Sequence, residues 1–371
     1  MKKHQFSWGM LLAGIGGVFG VVVAILYAIF KNNPVWMKQW FLSVSMGWGQ
    51  FFSKLFSIVP FSMAEICWTI AILGLLFWGY TVIKLLVQRP SCWTKSLGFK
   101  LISLVCCGVF IWGGYTAFWA VGYRAPVFYT DAKGLSSQPI SKEDLIHVTS
   151  LFAEGANKYA SLVERNENDL FAVPLKPLFS KTDHLYDTLQ QEFPALQAPT
   201  RRAKPMFYGN IMSRIGFTGF YFPFTGEANV NIDSPACLVP VTIAHELAHQ
   251  RGVVFEDEAN FTAIAACLSQ PDPVFRYSAF LMGYIHLSNA LLTADSTQWQ
   301  KISGSLNELV VADLEDNNAF WEQYKSSVSS AAEGVYEGFL QSHGENRGMQ
   351  SYGACVNLLV AYYKNTADLT Q

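Results

Sequence analysis

Five residues stand out for the chemistry they can do: His245-Glu246-Leu247-Ala248-His249, the HExxH spacing. Residues four apart share one face of a helix, so both imidazoles can close on a single metal ion. Glu246, beside the first histidine, is placed to act as general base on a water activated by zinc. A catalytic zinc site takes three protein ligands and leaves a fourth position open, so a third ligand is required. In the longer pattern HExxHxxGxxH the glycine falls on Gly252, but the last position is Phe255, which cannot ligate. A carboxylate must serve instead, and Glu256 and Glu258 are the candidates. Asn260, four residues after Glu256 and on the same helical face, is positioned to hydrogen-bond a ligand histidine from behind. Each feature has a plain alternative. Histidines four apart decorate many helix surfaces, and Glu-Asp-Glu suits any helix N-terminus through the dipole. Their conjunction favours the metal site.

The flanking chain supplies the elements that must hold these residues. Pro240 suits a first helical turn, and Arg251-Gly252 supplies a C-terminal cation and a left-handed cap. A second helix is expected over 256–268. Two strands are expected before the motif, at 217–224 and 227–232, joined at Thr225-Gly226, with another short strand at 205–208. Either of the paired strands is a candidate edge for an extended substrate, with ordinary packing as the alternative. Helical patterns cover 141–163, 181–193, 272–293, 298–310, 317–341 and 350–364, with Ser141 as an N-cap. The fold class is mainly α with a small β-sheet (α+β). Arg276, Tyr277 and His286 lie downstream, where an oxyanion donor is wanted, but they read as packing residues.

The N-terminal third is different in kind. Of 371 residues, 51% are hydrophobic and only 15% charged, with a formal net charge of −2, a balance typical of membrane proteins. No basic stripe invites nucleic acid. Uncharged runs at 8–30, 66–83 and 101–123 are long enough to cross a bilayer. The first begins after Lys2 and Lys3 and lacks a cleavage-site pattern, so it reads as an uncleaved span. Its Gly16 and Gly20 form a GxxxG, read here as the composition of a glycine-rich run. Residues 31–60, with Trp36, Trp40 and Trp48, suit the headgroup level. Lys and Arg near the N-terminus and at 84–100 put those segments in the cytoplasm and everything after Arg124 outside it. The chain therefore divides into a three-helix anchor at 1–123 and a globular domain at 124–371. The seven cysteines show no metal spacing and read as buried small hydrophobes.

HELAH followed by Glu256-Asp257-Glu258-Ala259-Asn260 resembles the gluzincin signature, HExxH with a later ExxAD or ExxAN, known in membrane-embedded peptidases such as the CAAX prenyl proteases. More closely, the chain resembles a bacterial family of integral membrane proteins of unknown function with zincin-like character. The stretches carrying that likeness are residues 216–233, 244–252, 256–261, 276–278 and 351–353. The resemblance implies a zincin-like metallopeptidase domain after the transmembrane helices. It implies His245, His249 and Glu256 as ligands of one catalytic Zn2+, and Glu246 as base. Glu258 is retained as the alternative third ligand, because Asn260 replaces the usual aspartate and the gap after HELAH is short. The expected activity is zinc-dependent hydrolysis of peptide bonds, on a peptide or protein substrate, at the cell membrane. The alternative is a zinc-binding membrane sensor or scaffold without turnover. A transporter is disfavoured by the scarcity of ionisable residues in the spans.

Overall fold

The computed structural model describes residues 8–125, 128, 140–342 and 352–370. Contacts divide the chain into two units.

The first unit comprises residues 1–49, 63–125 and 223–225. Three of its helices are long and apolar enough to cross a membrane: α1 (Trp8–Phe30), α2 (Met63–Gln88) and α3 (Trp93–Phe118). The second and third differ from the expected bounds of 66–83 and 101–123. The uncharged-run criterion stops at Lys84 and Lys100, whereas the helices run past both, and Lys100 Nζ donates to Thr81 Oγ1 at 2.8 Å. At its C-terminus α3 ends at Phe118, and a tight 3-10 turn covers Ala120–Arg124. The GxxxG proves to be a packing face. A Cβ added to Gly113 of α3 would stand 2.6 Å from Gly20 Cα, and one added to Gly20 would stand 2.2 Å from Val109 O. Only hydrogens fit between these backbones, which is why small residues occupy the crossing. Between α1 and α2, Pro34–Trp40, a π-helical Phe41–Ser45 and Met46–Phe56 form one nearly continuous helical run.

The second unit comprises residues 50–62, 126–222 and 226–371. It is mostly helical around a three-stranded sheet of order β1-β3-β2: β1 (Lys204–Pro205), β2 (Gly219–Phe222) and β3 (Glu227–Val230). β1 runs parallel to β3, and β2 is antiparallel to it with Gly219 opposite Val230. The strand at 205–208 therefore shrinks to two residues at Lys204–Pro205. β3, buried throughout, is the sheet's centre and lies against the motif helix.

Most of the rest is in longer helices: α4 (Lys142–Ala160), α5 (Val239–Gln250), α6 (Glu256–Leu268), α7 (Pro273–Ala294), α8 (Glu308–Tyr324), α9 (Ser327–Ser342) and α10 (Tyr352–Tyr363), with a shorter helix at Ser296–Ser303 between α7 and α8. Ser141 caps α4 by accepting from Asp144 N at 3.0 Å. Phe152, Phe193, Phe261, Phe275, Phe280, Tyr186 and Tyr277 are fully buried or nearly so and fill the core among these helices. Gly155 and Gly283 lie where any Cβ would strike the rings of Phe280 and Phe152, at 2.2 and 2.1 Å.

Three helical expectations fail at their boundaries. Residues 181–193 break into a 3-10 turn (Phe179–His184) and a single helical turn (Leu189–Glu192). The expected helices at 298–310 and 317–341 are re-divided by two local caps. Asn307 accepts from Val310 N and starts α8, and Ser326 accepts from Ser329 N and starts α9. Apolar periodicity spans such breaks, and side-chain caps decide them. The likeness at 351–353 begins on Ser351, which lies outside the described residues.

Candidate metal centre

The motif helix is fixed at both ends before its side chains matter. Pro240 sits in its first turn, where the missing N–H is harmless, and Ser278 Oγ from α7 accepts from Val241 N at 3.1 Å. At the other end Val253 N donates to Ala248 O and Gly252 N to His249 O, a Schellman closure with Gly252 at φ +89. That closure turns the chain back sharply. It brings Val253 O to His249, in the last turn of the motif helix, and starts α6 at Glu256.

His245 Nδ1 is 2.9 Å from Asn260 Oδ1, and His249 Nδ1 is 2.7 Å from Val253 O. Both acceptors require a proton on Nδ1, which leaves the Nε2 lone pair of each neutral ring free. Those two Nε2 atoms face each other at 3.0 Å, and Glu256 Oε2 lies 3.2 Å from one and 3.7 Å from the other. The three donor atoms stand within 4.8 Å of one another. Two aimed imidazole lone pairs and one carboxylate oxygen are a donor set suited to zinc, and they fit it. Among the described residues this trio is the one such group, and Glu258, buried on α6, is outside it.

The electrostatics follow from this crowding. Burial disfavours the charge on His249, but the Glu256 carboxylate beside it more than offsets this, so its pKa rises to about 9. Burial likewise opposes charge on Glu256, and the two histidines override it, holding the carboxyl well below its usual range. A proton thus occupies the place a cation would take. Glu246 behaves oppositely. It is 3% exposed, and burial lifts its pKa to about 7 against the pull of both histidines. Its Oε2 has no hydrogen-bond partner among the described residues. A buried carboxylate oxygen left unpaired is costly, and such groups concentrate where chemistry needs them.

Some contributors carried no legible signal. Gly219, on the edge strand β2, lies against Glu246: a Cβ there would meet Glu246 Oε1 at 2.6 Å and Asn229 O at 2.8 Å. Tyr336, on α9, donates to Glu256 Oε1 at 2.6 Å and packs edge-on against Phe217, with ring centroids 5.1 Å apart. It follows the motif by nearly ninety residues, and nothing local marks it.

The residues considered as oxyanion donors separate. Tyr277 hydrogen-bonds Asp313, away from the three ligands, and Arg276 Nη2 reaches Leu369 O at 2.8 Å. The first joins α7 to α8, and the second ties α7 to the chain that follows α10. His286 on α7 is close enough to His245 to feel it, and burial together with that neighbour lowers its pKa to about 4, so its ring is neutral.

Residues 42–360 match the model of the family described as "Protein of unknown function (DUF3810)", and the chain belongs to that family. No curated protein and no solved structure matches the chain.

Proposed function

We propose that this family member is a membrane-anchored, zinc-dependent peptidase of zincin type, with His245, His249 and Glu256 as the ligands. The observation that carries the reading is the convergence of two tautomer-fixed imidazoles and one carboxylate beside a buried Glu246 oxygen that has no partner among the described residues. Bound there, zinc would supply Lewis-acid polarisation of the scissile carbonyl and lower the pKa of water. The chain's own groups do the rest. Asn260 and Val253 O keep both rings oriented. Glu246, with a pKa near neutrality, takes a proton from the attacking water and returns it to the leaving amine. Gly219 keeps β2 close over Glu246, so an extended peptide pairing with that edge would bring its carbonyl near the base. The three apolar helices serve as the anchor, and the lysine and arginine distribution favours a globular unit outside the cytoplasm.

The test uses the full chain in detergent or nanodiscs, because residues 50–62 belong to the globular unit. Metal analysis is expected to find about one zinc per chain. Glu246→Gln is expected to retain the metal and abolish hydrolysis of a peptide library. A folded wild-type chain that takes up no zinc would remove the reading. Zinc retention with no cleavage by the wild type would instead favour a sensor or scaffold.

A further inference from the structure

We infer that the globular unit carries its own membrane-contact surface, an apolar patch in two pieces that seats on the interfacial layer of a lipid bilayer. The inference rests on reading α2 as a span. It does not depend on whether the metal centre turns over substrate.

The first piece is the segment leading into α2. Phe51, Leu55 and Ile58 recur at helical spacing and are 64%, 47% and 81% exposed, and Phe61 is 49% exposed. The second piece follows β1, where Phe207 is 87% and Ile211 57% exposed, with Tyr208 between them at 38%. Of the twelve large hydrophobics described as exposed in this unit, these are seven, although the two segments are a small part of it. Scattered exposed apolar residues need no explanation, but a grouped set does.

Buried polar contacts bind the two pieces together. Lys204 on β1 is 6% exposed, and its Nζ donates to Phe56 O at 2.7 Å, Phe61 O at 3.0 Å and Glu227 Oε1 at 2.5 Å. Ser62 Oγ donates to Asn229 Oδ1 on β3 at 2.6 Å. A buried lysine with three oxygen partners is rigidly held, because removing any partner would strand its charge. Phe207 therefore keeps a fixed relation to the segment ending at Ser62.

The occupant follows from chain continuity. Phe61 is two residues before Met63, where a helix long and apolar enough to cross a membrane begins. Two residues span at most about 8 Å, so Phe61 must lie at the boundary of whatever α2 crosses. Aromatic and branched side chains at that depth, with exposed Lys54 and Arg214 beside them, suit headgroups over acyl chains. The sheet sets the consequence. β1 and β2 flank β3, and strands lie about 4.8 Å apart, so the strand over Glu246 is only about 10 Å from the edge joined to the patch.

The test places a photoreactive benzoylphenylalanine at single positions of the full chain in nanodiscs of phosphatidylethanolamine and phosphatidylglycerol. The positions are Ile72 within α2, Ile58, Phe207, and Leu162 as an exposed control elsewhere in the unit. Lipid adducts are expected at 72, 58 and 207, with none above background at 162. Adducts at 72 and 58 without one at 207 would overturn the patch and leave the span reading intact. No adduct at 72 would overturn the span reading and the inference with it. Chain-to-chain crosslinks at 207 in place of lipid would make the patch an interface between copies and overturn the inference.

Discussion

The globular unit contains two buried polar clusters built from similar materials, and they are finished differently. In one, Asp313 on α8 accepts from Arg165 Nη1 at 2.7 Å, from Phe171 N at 2.9 Å and from the Tyr277 hydroxyl. Arg165 spends its remaining donors on Ala160 O and Asp169 O and lies over the Tyr277 ring at 5.1 Å. That cluster is closed: its charges and hydrogen-bonding groups find their partners inside the chain, and it ties α4, α7 and α8 together. The metal-centre cluster is open. Its histidines are oriented from behind and point their remaining nitrogens at each other, and Glu246 Oε2 is left unpaired among the described residues. In the closed cluster the loss of one partner strands another, whereas the open one holds a proton between its histidines and carboxylate where a cation could sit, and leaves a Glu246 oxygen unsatisfied by the described residues.

Breaking each cluster should therefore give opposite signatures, and the largest effect belongs to the closed one. Asp313→Ala strands the buried Arg165 guanidinium and should cost about 3–5 kcal/mol of unfolding free energy, without changing zinc affinity per folded chain. His249→Ala removes a ligand and should abolish stoichiometric zinc binding with a much smaller loss of metal-free stability. Chemical denaturation and zinc titration on both variants check the contrast. If Asp313→Ala lost zinc while folded, or His249→Ala unfolded the metal-free chain, the division between the clusters would fail.

Next in size is the cost of keeping Glu246 ready. Its folded pKa, about 7, lies above the ordinary 4.5, so between those values the folded chain holds a proton that the unfolded chain has released. The stability this confers is complete below pH 4.5 and is lost as pH rises through 7. Above pH 7 the buried charge costs about 3 kcal/mol. Glu246→Gln removes that charge. The metal-free variant should be more stable than wild type by about that amount at pH 8 and equal to it near pH 4. Thermal unfolding at the two pH values measures the difference. A variant no more stable at pH 8 would show that Glu246 is not strained by its burial.

How much of this was legible in the sequence depended on whether a residue's partner was near it in the chain. His245, Glu246 and His249 share one helix, and Pro240, Gly252 and Glu256 follow from local rules about where helices start and stop. Their places on α5 and α6 needed no knowledge of the fold. The Ser141 cap was readable for the same reason. Gly219 was not, because its constraint is a glutamate on another element, and a glycine in a strand has many uses. Lys204 was equally silent, since its acceptors, Phe56 O and Phe61 O, are backbone atoms more than 140 positions away. The helices failed where short polar caps cut an apolar pattern, as at Asn307 and Ser326. Neighbours in the Arg276-Tyr277-Ser278 run likewise have partners distant in the chain: Tyr277 closes the Asp313 cluster and Ser278 anchors the start of the motif helix.

Tyr336 offers the smallest and most discriminating test, because it joins the open cluster from an element that otherwise holds loosely. α9 has no fully buried residue among those described, and its Tyr336 reaches both Glu256 Oε1 and the ring of Phe217. By engaging Oε1, the hydroxyl leaves Oε2 as the oxygen facing the two histidines, so it sets which carboxylate atom can ligate. Tyr336→Phe removes that restraint while keeping the ring contact. A hydrogen bond to a charged acceptor contributes about 1.5–3 kcal/mol when its loss leaves the acceptor dry. The Glu256 side chain is 20% exposed, so water can replace the hydroxyl, and the effect should fall at the low end. The expected result is about a tenfold weaker zinc affinity, typical of lost outer-shell support, with a loss of unfolding stability no larger than about 1.5 kcal/mol. Zinc titration against a competing chelator reads it. An unchanged affinity would mean that Glu256 is oriented by its helix alone and that Tyr336 only packs. A loss as large as that of His249→Ala would mean that the hydroxyl has a more direct part in the site than positioning its carboxylate.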